Sequence, residues 1–141
     1  MLTNSELAGS SYLVLYGSLM SAFPVQEELG IKNKIVLIGQ CKLYGALYDL
    51  GEYPGFIIDC DKKQPVFAEL YHFTAPEILT VLDDFEDYKA GNEQESLYIR
   101  VLVNLQEPTL KAWVYVYNRN VLESKRIKHG SWAQYLLASK P

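Results

Sequence analysis

Two short segments carry residues whose types and spacing could do chemistry. The first is Tyr16-Gly17-Ser18-Leu19, directly after the apolar run Tyr12-Leu13-Val14-Leu15. A β-type run that breaks at a glycine and a serine must turn sharply, and Gly17 supplies the conformational freedom to do so. Backbone N–H groups in such a turn can point into a cavity and bind an anionic or carbonyl oxygen. The Ser18 hydroxyl can donate or accept. An ordinary strand-end turn is the plainer reading of these four residues taken alone. Their weight comes from a second segment, Leu82-Asp83-Asp84-Phe85-Glu86-Asp87-Tyr88.

In that segment Glu86 follows Leu82 by four residues. If a helix runs that far, Glu86 lies at the edge of the face carrying Leu79, Leu82 and Phe85. A carboxylate there is partly removed from water, which raises its pKa and suits a general base working near neutrality. Asp83 and Asp84 project towards other faces, and at least one should be solvated. Negative charge where a helix ends is disfavoured by the helix dipole. Three readings stay open on these residues: a solvated acidic turn, a catalytic carboxylate and a metal site. The metal reading is the weakest, because neither His72 nor His129 stands at ligand spacing and no Asp-x-Asp-x-Asp-Gly run is present.

Other chemistries find less support. Ser18 as a nucleophile would want a histidine base, and His72 in a strand and His129 in a basic linker read as structural or solvated. Cys41 and Cys60 carry no motif and read as buried fillers. There is no dinucleotide fingerprint and no phosphate loop. The expectation is therefore no metal and no cofactor.

The elements that must position these groups follow from local pattern. Residues 12–16 read as a strand. Pro24 to Leu29 reads as a short helix closed by Gly30. Residues 35–38 and 42–50 read as strands with a break near Gly39, and 51–55 as a loop. Val66 to Phe73 is another strand. Residues 97–105 and 110–118 form an antiparallel hairpin joined by Gln106-Glu107-Pro108-Thr109. Thr74-Ala75-Pro76-Glu77 is a capping box that starts a helix carrying Ile78, Leu79, Leu82 and Phe85 on one face. A last helix begins near Ser131, with Trp132, Tyr135 and Leu136 on one side. The run Lys125-Arg126-Ile127-Lys128-His129 before it reads as a solvated linker. The class is α+β, mainly antiparallel, with the sheet curled towards a small barrel.

The bulk numbers set the frame. At 141 residues the chain suits one domain spanning 1–141, with 1–10 a loose N-terminal end. A net charge of −4 argues against nucleic acid as a partner. No stretch approaches the length of a membrane span, and no signal peptide is evident. Two cysteines without a disulfide pattern make a reduced, cytoplasmic setting the default. Oligomeric state is not legible.

Taken in order, several segments are similar to one family. They are Tyr16-Gly17-Ser18-Leu19, Tyr48-Asp49-Leu50-Gly51-Glu52-Tyr53-Pro54-Gly55, Ala68-Glu69-Leu70-Tyr71, Leu82 to Tyr88, Tyr98-Ile99-Arg100 and Ala112-Trp113-Val114-Tyr115. The chain resembles the γ-glutamylcyclotransferase-like family, γ-glutamylamine cyclotransferases included, over roughly residues 12–118. The resemblance implies a small mixed, mainly antiparallel β-barrel with flanking helices and a cavity at one end. It implies that Tyr16, Gly17, Ser18 and Leu19 line that cavity and bind substrate. It also implies that Glu86 is the acid–base glutamate. The substrate would be a small γ-glutamyl amine or amide, cyclised to 5-oxoproline. Tyr53 and Tyr98 could wall the pocket or simply pack. One departure stands out: many relatives carry a basic residue after this turn, and here it is Met20. A non-catalytic small-molecule-binding domain using the same cavity is the alternative.

Overall fold

β1 (Tyr12–Leu15) is a short apolar run in which Leu13, Val14 and Leu15 are all buried, as suits a strand covered on both faces. The structure, a computed structural model, describes residues 10–138. The loose end expected over 1–10 lies outside the described residues except for Ser10, whose hydroxyl donates to the Lys111 carbonyl at 2.6 Å. The other strands are β2 (Ile35–Asp49), β3 (Pro54–Ile57), β4 (Gln64–Phe73), β5 (Tyr98–Gln106) and β6 (Thr109–Tyr117). They form one sheet in the order β3-β2-β4-β1-β6-β5. Every pairing is antiparallel except β1 with β6, which run parallel with Leu13 opposite Trp113.

The sheet is open but curled, so that β3 swings over to β6. A Cβ added to Gly55 would stand 2.9 Å from the Tyr117 Cβ. Glycine is what lets the two strands touch there. The mixed, mainly antiparallel and barrel-like expectation therefore holds, with the curl made by packing rather than by a closed ring of hydrogen bonds.

Among the described residues three α-helices flank the sheet: α1 (Val25–Glu28), α2 (Glu77–Phe85) and α3 (Trp132–Ala138). α2 buries Ile78, Leu79 and Leu82, and each such aliphatic side chain contributes about 2 kcal/mol. Phe85, expected on the same stripe, is 41% exposed. α3 starts as read, with the Ser131 hydroxyl accepting the Gln134 N–H at 3.2 Å. Trp132 is buried, and the Tyr135 hydroxyl bonds Asp49 at the end of β2.

Four local readings are corrected. The capping box does not form: Pro76 takes the cap position of α2 without a side-chain bond, and Thr74 stays exposed. β2 is one strand, not two, because β4 keeps pairing with it across a bulge between Leu37 and Gly39. Pro54 and Gly55, read as loop, belong to β3, which pairs with Ala46 to Asp49. The basic run is only partly solvated: Lys125, Lys128 and His129 are exposed, while Arg126 donates to the Lys62 carbonyl at 2.6 Å and the Ile127 N–H to Leu47 at 2.7 Å. Cys41 is buried, but Cys60 is only half-buried.

Candidate active site

A cavity of about 390 Å³ opens where the end of β1, the start of β5 and the end of α2 meet. Tyr16, Gly17, Ser18 and Leu19 line one side, and Phe85 and Glu86 another. Glu52 and Tyr53 from the β2–β3 connection and Pro54 at the start of β3, with Leu97, Tyr98 and Tyr115, line further parts of the wall. All five site residues read from the two motifs thus come together, though about seventy residues separate the segments in the chain. Tyr53 and Tyr98 are pocket walls as well as packing partners, with ring centroids 6.3 Å apart.

The chain places Glu86 by how it ends α2. The Tyr88 N–H returns to the Asp83 carbonyl at 2.8 Å and the Asp87 N–H to Asp84 at 3.2 Å, while Asp87 takes φ +55°. This is a Schellman closure with an aspartate in the left-handed position. Glu86 becomes the cap residue, its own N–H bonded to Leu82 at 2.9 Å, at the cavity edge. Burial pushes its carboxyl up to about 8, from an ordinary value near 4.5.

Three of the phenols that line the cavity with this carboxyl, Tyr16, Tyr98 and Tyr115, are raised first by burial, with Glu86 among the further causes. Their protons are committed elsewhere. Tyr16 donates to the Tyr115 carbonyl at 2.7 Å, Tyr98 to the Pro54 carbonyl at 2.8 Å, and Tyr115 to Asp83 Oδ1 at 2.7 Å. A phenol has one proton to give. Among the described residues, then, no phenol solvates the Glu86 carboxylate. Its pKa is raised by loss of water, with no ion pair behind the shift.

The Tyr16–Leu19 turn closes with the Met20 N–H on the Gly17 carbonyl at 3.0 Å. No acceptor among the described residues takes up the N–H groups of Gly17, Ser18 or Leu19. Gly17 is needed for a different reason from the one read in the sequence. Its φ is not in the left-handed region. A Cβ there would stand 2.8 Å and 3.0 Å from Pro54 Cγ and Cδ, so the constraint is close approach, not conformational freedom. Met20 is buried in the core and does not line the cavity. Beyond the turn, Glu69 accepts both the N–H and the hydroxyl of Ser21 at 2.6 Å, and Tyr71 donates to it at 2.9 Å.

Of the two aspartates, Asp84 is the solvated one and Asp83 is tied. Arg100 Nε donates to Asp83 Oδ1 at 2.8 Å and Nη2 to Oδ2 at 3.2 Å. The sequence reading assigned no contact to this pair or to Glu69, although all three residues stand in segments that carry the family resemblance. The available signal was a lone charge inside each apolar strand, Arg100 in β5 and Glu69 in β4. Among the described residues no group of three or more His, Cys, Asp or Glu is placed to hold a metal ion. No helix among them is long and apolar enough to cross a membrane.

The family model for gamma-glutamyl cyclotransferase, AIG2-like, matches residues 13–134. A Halalkalibacterium halodurans protein provisionally named gamma-glutamylcyclotransferase is 35% identical over 98 residues, covering 68% of this chain and 85% of its own. An AIG2-like protein of Mus musculus superimposes with a TM-score of 0.66 at 23% identity, covering 86% of each chain. An Escherichia coli protein solved in solution gives 0.65 at 28% identity, covering 88% of this chain and 97% of that one.

Proposed function

The chain belongs to the gamma-glutamyl cyclotransferase, AIG2-like family, and on that premise we propose that it cyclises a γ-glutamyl amine or amide to 5-oxoproline. Such a substrate carries its own nucleophile. Its α-amino nitrogen can close a five-membered ring onto the γ-carbonyl carbon, so no external nucleophile is required.

The ammonium form must first lose a proton, and Glu86 takes it. The freed nitrogen attacks the γ-carbonyl, a C–N bond forms, and the carbonyl electron pair moves onto oxygen. That electron pair then returns, the bond to the leaving nitrogen breaks, and the proton held by Glu86 goes to that nitrogen. The ring nitrogen, still carrying two protons after attack, gives its second proton to the freed Glu86 carboxylate, which passes it on so that the amine departs as its ammonium form. The N–H groups of Gly17, Ser18 and Leu19 receive the substrate carboxylate or the developing oxyanion. The walls at Glu52, Tyr53, Phe85 and Leu97 meet the leaving half.

One observation carries the reading. A carboxyl that burial holds near neutrality opens into the same cavity as a turn of unbonded N–H groups. The test is to present a panel of γ-glutamyl amines and amides and measure 5-oxoproline against released amine. The expected result is one-to-one formation, with Glu86→Gln lowering kcat on the order of 10²-fold or more. Equal turnover by Glu86→Gln on a verified substrate would remove Glu86 from the mechanism. Absence of 5-oxoproline from the whole panel would overturn the reaction class.

A further inference from the structure

Arg100 and Tyr115 are register partners across β5 and β6, so their side chains leave the same face of the sheet side by side. Asp83, from α2, lies across both. Its Oδ1 accepts from Arg100 Nε at 2.8 Å and from the Tyr115 hydroxyl at 2.7 Å, and its Oδ2 accepts from Arg100 Nη2 at 3.2 Å. The two charged side chains are 17% and 19% exposed. Arg100 is held from its other side by Trp113, whose ring centre lies 4.5 Å from the guanidinium, and by Tyr88 at 5.6 Å. This two-pronged pair is far more directional than a lysine contact would be.

Glu86 follows Asp83 by three residues, within one turn of the same helix end. The groups that face it from neighbouring elements are Tyr16 from the end of β1, Tyr98 from β5, Tyr115 from β6, and Glu52 and Tyr53 from the β2–β3 connection. None of them brings a positive charge. The closeness of α2 to the sheet therefore decides how much water reaches the carboxyl.

We propose that Asp83 is a positioning residue: by tying the end of α2 to β5 and β6 through Arg100 and Tyr115, it keeps Glu86 partly shielded from water at the cavity edge. The link also reaches the motif turn, because the Tyr115 carbonyl accepts the Tyr16 hydroxyl at 2.7 Å. Only the activity consequence rests on the cyclotransferase reading; the effect on Glu86 itself does not.

The experiment is a ¹³C NMR titration of the Glu86 side-chain carboxyl in the full chain, assigned by its loss in Glu86→Gln. It compares the parent with Asp83→Asn, Arg100→Lys and Asp84→Asn. The parent should half-titrate at about 8. In Asp83→Asn the midpoint should fall by roughly one pH unit or more as water enters. Arg100→Lys, which keeps the charge but loses the fork, should fall by less. Asp84→Asn removes the same charge from the exposed neighbour and should leave the midpoint unchanged. With a verified substrate, the acid limb of kcat should move down with the midpoint. In Asp83→Asn kcat should also drop roughly 10-fold, with KM little altered.

A folded Asp83→Asn that titrates like the parent overturns the proposal. So does an Asp84→Asn shift as large as that of Asp83→Asn. If Asp83→Asn does not fold, Arg100→Lys decides the matter by the same midpoint. If the shifts occur but no form of the protein yields 5-oxoproline, the positioning role stands and the reaction assignment fails.

Discussion

Glu86→Gln should make the protein more stable at alkaline pH while removing its catalysis. Between roughly pH 4.5 and 8, the native chain keeps a proton on Glu86 that the unfolded chain has lost. The native state binds more protons there, so stability falls as pH rises through that window. Below it the carboxyl is protonated in both states and contributes nothing. Above it the full penalty of a buried charge is expressed. At about 1.4 kcal/mol per pH unit the displacement is worth about 5 kcal/mol if nothing relaxes. The carboxyl opens onto a cavity that water can enter, so about 2–3 kcal/mol is the expected net. Glutamine keeps the shape of the protonated acid and never ionises. The two proteins should match near pH 4.5, and the glutamine form should lead by about 2–3 kcal/mol at pH 9. With a urea slope of about 1–3 kcal/mol/M, the midpoint should rise by about 0.7–3 M. The assay is urea unfolding of both proteins across pH 4.5–9. Parallel stability curves over that range would refute the argument that burial alone raises this carboxyl.

Gly17→Ala should force Pro54 away from its 2.8 Å approach and lower affinity for 5-oxoproline about 10-fold, about 1.4 kcal/mol by calorimetry; binding as tight as the parent would show that the turn does not receive ligand oxygen. Asp87→Gly should gain about 0.5–1 kcal/mol in denaturant midpoint by relieving the left-handed aspartate at φ +55°. The exposed Lys89 contact it gives up, at 3.7 Å, contributes little. A loss instead would mean that Asp87 makes a compensating bond. Turnover of a verified substrate should survive EDTA; loss on chelation with recovery on adding a divalent ion would return the acidic segment 83–87 to the role of metal site.

Local rules worked where an element is made by its own neighbours. The β5–β6 hairpin, the Ser131 cap of α3 and the Gly30 stop after α1 were all legible, because turn and cap chemistry acts within a few residues. They failed where a distant partner overrules local preference. Gly39 reads as a break, yet β4 continues to pair with β2 across it. Pro54 and Gly55 read as a turn, yet pairing with β2 makes them a strand. Thr74 has the spacing of a cap, but Pro76 takes the cap position.

The site divides along the same line. The sequence by itself determined the candidate parts: a strand-end turn at Tyr16–Leu19, and an amphipathic helix that ends in Glu86. Both are contiguous, so residue type and helical spacing made them candidates, while their roles came from the family resemblance. Only the tertiary structure decided that the two share a cavity and that Asp83, not Asp84, is tied to Arg100 and Tyr115. It also decided that the nearby phenols spend their protons on Pro54, Tyr115 and Asp83. The physical reason is that the basicity of Glu86 measures how much water is excluded from it. That exclusion is summed over side chains from β1, α2, β5, β6 and the β2–β3 connection, which no local stretch of chain contains.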